Sequence, residues 1–220
     1  MQISGYKIIQ NTSGFCFGTD GVLLANFAKA AKGERVLDVG TGTGIIPILM
    51  CAKTQAEHFT AIDIQPQSVE MAKRSVALNN LQDRITVELI DIKKAAEYFG
   101  TAAFDVITAN PPYLNSGEPS PNEALSIARH EVFCCLEDVI SASAKLLKYG
   151  GRFYMVHRPH RMADVFYLLR KYKLEPKVFR PVYPAIGKKA ALFLVEAVLH
   201  GGAWMDILPA IYTNELENTF

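Results

Sequence analysis

Short apolar runs rich in β-branched residues recur at 35–39, 59–63, 85–89, 105–109, 152–156 and 191–199, each with the length and composition of a buried strand. Between them the period lengthens. In 66–80, Val69, Ala72, Val76 and either Ala77 or Leu78 form an apolar stripe at helical spacing, behind a proline suited to a first helical turn. Alternation of this kind predicts an α/β fold, a mainly parallel sheet with helices on both faces. Ligands of such sheets bind beyond the carboxyl ends of the strands, so the residues just after each strand carry the most weight. Two stretches break the rhythm. Residues 114–128 hold two prolines, a glycine and several small polar residues, and read as a mobile loop. Residues 201–220 have no clear period and read as a tail that frays. The expected organisation is a single domain, with a leading segment 1–34, a core 35–200 and the tail 201–220.

Composition narrows the class without naming a partner. At 220 residues, 50% of them hydrophobic, the chain buries one full-sized core. Its 23 basic and 22 acidic residues nearly cancel, so local charge matters more than the total. Cys16, Cys51, Cys134 and Cys135 form no CxxC pair and no ligand spacing with histidine, which argues against both a metal site and a disulfide framework. The opening MQISGYKIIQ lacks an apolar signal core, and no window approaches the roughly 20 apolar residues of a membrane span. A reduced, cytoplasmic protein is expected.

The first strand runs into Asp38-Val39-Gly40-Thr41-Gly42-Thr43-Gly44, ahead of an apolar helix near Ile45. Alternate glycines let the backbone turn tightly and approach a ligand, while the helix start offers free N–H groups. The spacing is not the GxGxxG of diphosphate cofactors, which argues against a nicotinamide enzyme. GxGxG behind an acid resembles motif I of class I S-adenosylmethionine methyltransferases. That resemblance implies that Asp38 orients the methionine ammonium and that Gly40, Thr41, Gly42 and Gly44 pass beneath the cofactor. Asp63 ends the second strand, placed to accept from a ribose diol. Asp91 ends the third and either accepts from an adenine amino group, with Ile64 and Ile92 flanking the ring, or caps the next helix. Thr19 and Asp20 precede a helix from about residue 22, as its cap or as part of a segment closing over the cofactor.

After the fourth strand comes Asn110-Pro111-Pro112-Tyr113. It matches the (Asp/Asn)-Pro-Pro-(Tyr/Phe) motif of enzymes that methylate amino groups conjugated to a π system. Such nitrogens are weak nucleophiles, and two acceptors, the Asn110 side-chain oxygen and the Pro111 carbonyl, can hold the N–H groups so that the lone pair faces the methyl donor. Tyr113 offers an aromatic face for a base and Pro112 stiffens the turn beside it.

Taken together, FGTDGVLLANF, VLDVGTGTGIIPI, AIDI, NPPY, ARHE and KKAALFLVEAV resemble the bacterial tRNA(Val) adenine-37 N6-methyltransferase family over about residues 6–200. The resemblance implies a Rossmann-like class I methyltransferase fold with a seven-stranded sheet, S-adenosylmethionine as cofactor, and the N6 amino group of a tRNA adenine as acceptor. It also implies that Arg129, His130 and Glu131 sit at the cleft mouth and contact the substrate, unless they form the polar first turn of a helix. Guanine in ribosomal RNA and glutamine in protein are alternative acceptors of the same chemistry, and a non-catalytic RNA-binding module is a further alternative. Only 35 residues precede Val36, which leaves no room for the N-terminal helical domain of the glutamine enzymes. For the partner, residues 145–189 hold twelve basic residues, among them Arg158, Lys188 and Lys189, against Asp164 and Glu175. This local excess is expected to line one side of the cleft and track an RNA backbone.

Overall fold

The computed structural model describes residues 5–10, 18–111 and 136–217. Nine strands form one sheet in the order β3-β2-β1-β4-β5-β7-β6-β8, with β9 also pairing on β6. In chain order these are β1 (Arg35–Val39), β2 (His58–Asp63), β3 (Ile85–Leu89), β4 (Phe104–Ala109), β5 (Leu147–His157), β6 (Leu174–Tyr183), β7 (Leu192–Leu199), β8 (Asp206–Ile207) and β9 (Ile211–Tyr212). From β3 to β5 all neighbours are parallel, and β7 alone runs against its neighbours β5 and β6. Seven strands are long, as expected of the fold, and the eighth and ninth are two-residue additions on the outer edge.

Side chains along each strand alternate between two apolar layers, as the pleat requires. On one face Val36, Val106, Phe59 and Tyr154 pack under α1 (Thr19–Phe27), α2 (Ile45–Lys53) and α3 (Pro66–Leu78). On the other, Leu37, Ile107, Phe153 and Val195 pack under a 3-10 turn at Ile92–Lys94, α4 (Ala95–Phe99), α5 (Leu136–Leu146) and α6 (Met162–Lys171). Strands buried on both faces read as continuous apolar runs, which is why β1, β2 and β4 stand out in the sequence.

Two parts differ from the expectation. β6 carries Pro176, Pro181, Lys177 and Arg180, a composition that hides a strand, and its register with β7 shifts between Pro176 and Val178. Residues 201–217 join the sheet edge. Val178 and Phe179 pair with β8, Val182 and Tyr183 pair with β9, and a short helix α7 (Thr213–Glu217) follows. The loop expected at 114–128 lies outside the described residues.

The β4–β5 register also shifts, between Phe104 and Val106, where β5 turns through Gly150 and Gly151. A methyl group on Gly151 would lie 2.8 Å from the Lys148 carbonyl oxygen and 3.1 Å from that of Asp105. Both obstacles are backbone. Gly151→Ala is therefore expected to destabilise by about 1–3 kcal/mol, a fall in Tm of roughly 3–10 °C, measured by thermal unfolding; an unchanged Tm would show that the bulge yields freely.

Candidate active site

β1 lies between β2 and β4, and the chain leaves β1 toward β2 and β3 before returning to β4 on the other side. This reversal opens a crevice beyond the carboxyl ends of β1 and β4. Into it run the two motifs. After β1, Gly40, Gly42 and Gly44 all take left-handed φ, +67°, +56° and +83°. Side chains other than glycine rarely hold such angles. A methyl group on Gly40 or Gly42 would meet nothing within 4 Å, whereas one on Gly44 would sit 3.4 Å from Ala72 Cβ. The first two glycines thus border open space, and the third lets α2 pack on α3.

Asp63 fixes this loop. Its Oδ2 accepts from the Gly42 N–H at 2.9 Å and its Oδ1 from the Gln65 N–H at 2.9 Å. With the Thr41 N–H donating to the Ile62 carbonyl at 3.0 Å, the ends of β1 and β2 are tied together. Asp63 is 7% exposed, so it is not a solvated loop acid.

Asp38 is 1% exposed. It faces α1 and α2, and the Thr108 hydroxyl on β4 donates to its Oδ1 at 2.6 Å. Its Oδ2 and the hydroxyls of Thr41 and Thr43 are buried with no hydrogen-bond partner among the described residues. Burial pushes the Asp38 carboxyl up to about 7; the Thr108 and Thr41 hydroxyl dipoles oppose the rise and the Asp63 charge adds to it. An orphan carboxylate oxygen beside bare glycines suits a cationic group carried by a ligand that lies over the loop.

Asn110 follows β4 two residues after Thr108. The first turn of α1 lies against it: a methyl group on Gly21 would come within 3.1 Å of Ile45 Cγ2 and 4.0 Å of Asn110 Nδ2. Thr19 and Asp20 are in that turn, and neither caps the helix, because Gly18 is its N-cap and no side chain bonds there. Thr108 and Gln65 lie outside the motifs. Thr108 alone carried a signal, a hydroxyl inside the apolar run 104–109.

The chain matches the methyltransferase small domain family over residues 14–173. It belongs to that family. Among curated relatives, it is 39% identical over 139 residues to the tRNA1(Val) (adenine(37)-N6)-methyltransferase of Phocaeicola vulgatus, covering 63% of this chain and 58% of that one. To the proteins of the same name from Porphyromonas gingivalis W83 and Aeromonas salmonicida it is 31% and 29% identical, covering 77% and 86% of this chain and 69% and 85% of theirs. The alignment thus spans less than two thirds of the first relative's length. Solved structures share the fold: a predicted O-methyltransferase of Agrobacterium tumefaciens superposes with TM-score 0.71 at 22% identity, covering 88% of this chain and 86% of that one. A ribosomal protein L11 methylase of Lactobacillus delbrueckii superposes with TM-score 0.57 at 21% identity, covering 80% and 75%.

Within this methyltransferase-domain frame, other expected residues take different places. Asp91 caps the 3-10 turn, its Oδ1 accepting from the Lys93 N–H at 3.0 Å, which is the capping alternative. Ile92 is buried in the core, while Ile64 is half-buried at the crevice end of β2. Arg158 follows β5 and donates to the Ala191 carbonyl at 3.4 Å, and Lys188 and Lys189 are exposed in the β6–β7 turn. Pro111 is half-buried; Pro112, Tyr113, Arg129, His130 and Glu131 lie outside the described residues.

The basic segment does not form one surface. Lys148, Arg152, Arg161, Arg170 and Lys171 pair with Asp105, Glu34, Asp164, Glu175 and Glu137. Lys145, Lys148, Arg152, Arg170 and Lys173 sit where β4, β5 and β6 begin, at the end of the sheet opposite Asn110. Of the twelve, Arg158, Arg161, Lys188 and Lys189 lie at the crevice end.

The raised Asp38 carboxyl fixes a pH dependence. The folded chain holds this proton up to about 7, while the unfolded chain releases it near the ordinary 3.8. Stability from this group is therefore full below about 4 and is lost as pH rises through about 7. Asp38→Asn is expected to raise the stability of the ligand-free protein at pH 8 by a few kcal/mol, the gap closing toward pH 4. Chemical denaturation of both proteins across that range checks it, and a gap that does not change with pH would contradict it.

Proposed function

We propose that the protein transfers a methyl group from S-adenosylmethionine to the exocyclic N6 of an adenine in tRNA, the adenine beside the anticodon. One observation carries the reading: an orphaned Asp38 oxygen beside open glycines lies across adjacent parallel strands from Asn110. The first is a place for the cofactor's cationic amino-acid end and the second an acceptor for an N–H. The names of the curated relatives favour tRNA adenine over other amino acceptors, and a tRNA substrate puts the reaction in the cytoplasm. Among the described residues no group of three or more His, Cys, Asp or Glu could hold a metal, and no helix is long and apolar enough to cross a membrane.

When bound, S-adenosylmethionine supplies an electrophilic methyl group and a neutral leaving group. Asp38 Oδ2 would hold its ammonium, the Asp63 carboxylate would accept its ribose hydroxyls, and half-buried Ile64 would flank its adenine ring. Asn110 Oδ1 and the Pro111 carbonyl accept the two N–H groups of the target amine, which draws its lone pair out of conjugation and toward the methyl. Tyr113 of the same motif would offer its ring to the target base. Methylation makes the nitrogen acidic, so its proton leaves without a strong base.

Asn110→Ala is expected to cut methyl transfer to tRNA by at least about a hundredfold, the size of a lost transition-state hydrogen-bond partner, while cofactor affinity stays within about threefold. Labelled methyl transfer to total RNA, mapping of the modified nucleotide and calorimetry with the cofactor test this together. Methyl recovered on guanine or on a protein glutamine would overturn the acceptor, and full activity in the variant would overturn the mechanism.

Because the ammonium needs an ionised Asp38, cofactor binding expels the carboxyl proton when the pH is below about 7. Affinity is expected to fall about tenfold for each pH unit below that point and to level off above it. In Asp38→Asn the fall should vanish along with most of the affinity; an unchanged pH profile in that variant would mean another group is responsible.

A further inference from the structure

The turn between β6 and β7 combines three properties. It is rigid: the Ala191 N–H donates to the Val182 carbonyl at 2.9 Å across its base, and the Lys188 N–H donates to the Ala185 carbonyl at 3.2 Å across its tip. Gly187, at φ +76°, makes the tip possible. Two other segments brace it, the Asn214 N–H donating to the Pro184 carbonyl at 3.1 Å and Arg158 to the Ala191 carbonyl at 3.4 Å. Its tip is apolar, with Ile186 at 75% exposure. Its flank is cationic, since Lys188 and Lys189 are exposed and form no ion pair among the described residues, and 184–191 contains no acid.

A lone exposed isoleucine means little by itself. Its position and company give it meaning. The turn stands at the carboxyl ends of the strands, and the order β4-β5-β7-β6 puts it two to three strand spacings from Asn110, roughly 10–15 Å. A base swung out of its stack moves by a comparable distance, and the gap it leaves is apolar on both faces.

We propose that Ile186 is a wedge that enters the base stack where the target adenine has left, while Lys188 and Lys189 hold the flanking phosphates. The proposal rests on the reading that the acceptor is an adenine in RNA. Opening a stacked loop costs a few kcal/mol, and an apolar side chain on a braced turn recovers part of that without ordering a flexible loop. The wedge is needed only for a stacked base.

The test compares two RNAs, a stem–loop with the target adenine in its structured loop and a short unstructured oligoribonucleotide of the same loop sequence. Ile186→Ser is expected to lower kcat/KM on the stem–loop about tenfold or more and on the oligoribonucleotide by less than about threefold. Ile186→Met should keep most of the stem–loop activity. With 2-aminopurine at the target position, the fluorescence rise on binding should be lost in Ile186→Ser and kept in Ile186→Met. The double variant Lys188→Ala, Lys189→Ala should weaken binding of both RNAs and flatten the salt dependence. Equal losses on the two RNAs for Ile186→Ser, or none on either, would overturn the wedge. Wild-type protein that methylates neither RNA would instead overturn the acceptor reading, and that control separates the two failures.

Discussion

The site is organised around a carboxylate in a place where carboxylates are expensive. Asp38 stands at the carboxyl end of a central strand, 1% exposed, with Thr108 as donor to one oxygen and no partner for the other among the described residues. The fold could hydrogen-bond both oxygens or place an apolar residue there; it does neither. Its surroundings reduce the cost without removing it. The Thr108 hydroxyl from the neighbouring parallel strand offsets part of it, while the nearby Asp63 charge adds to it. What remains is a buried acceptor whose proton a bound cation can displace, which gives this region chemical direction before any ligand arrives.

Rigidity follows from how the strand ends are tied. Asp63 does structural work first, clasping the glycine loop to the end of β2, so any ligand it meets finds a loop already shaped. The backbone of Gly21 on α1 lies close both to the Asn110 side chain and to the Ile45 side chain on α2. Gly21 is small for that reason, since a larger residue would push α1 away from both motifs. Positions set by strands and by helix backbones hold catalytic geometry more tightly than positions on free loops.

Much of this was readable along the chain, and the parts that were not have physical reasons. β1, β2 and β4 lie inside the sheet and are buried along most of their length, so their apolar runs stand out and the residues after them mark the crevice. β6 was hidden because it joins the outer edge, where Pro176 and Pro181 are tolerated and charges are solvated. Asp63 and Asp91 illustrate a limit of reading acids at strand ends, because free backbone N–H groups are also there to be capped. The count of basic residues in 145–189 misled more seriously. Sequence shows which charges are close along the chain, but Glu34, Asp105 and Glu137 reach them from outside the segment. Within the segment β5 and β6 each run the length of the sheet, which divides the cations between its two ends.

The last segment of the described chain solves two problems with one set of hydrogen bonds. An exposed edge on β6 would invite pairing with another chain. Two-residue strands separated by a bend at Pro209 cover that edge without offering a long new one. Arg180 donates to the Pro209 carbonyl at 3.0 Å and holds the bend against the strand. The same run then delivers Asn214 to the Pro184 carbonyl at the base of the β6–β7 turn. The turn is consequently placed by backbone ladders on both sides, β7 within and β9 without, and by no long flexible side chain except Arg158. The offset between Ile186 and Asn110 is thus a property of the sheet itself, as a wedge and an acceptor that must act on one nucleotide require.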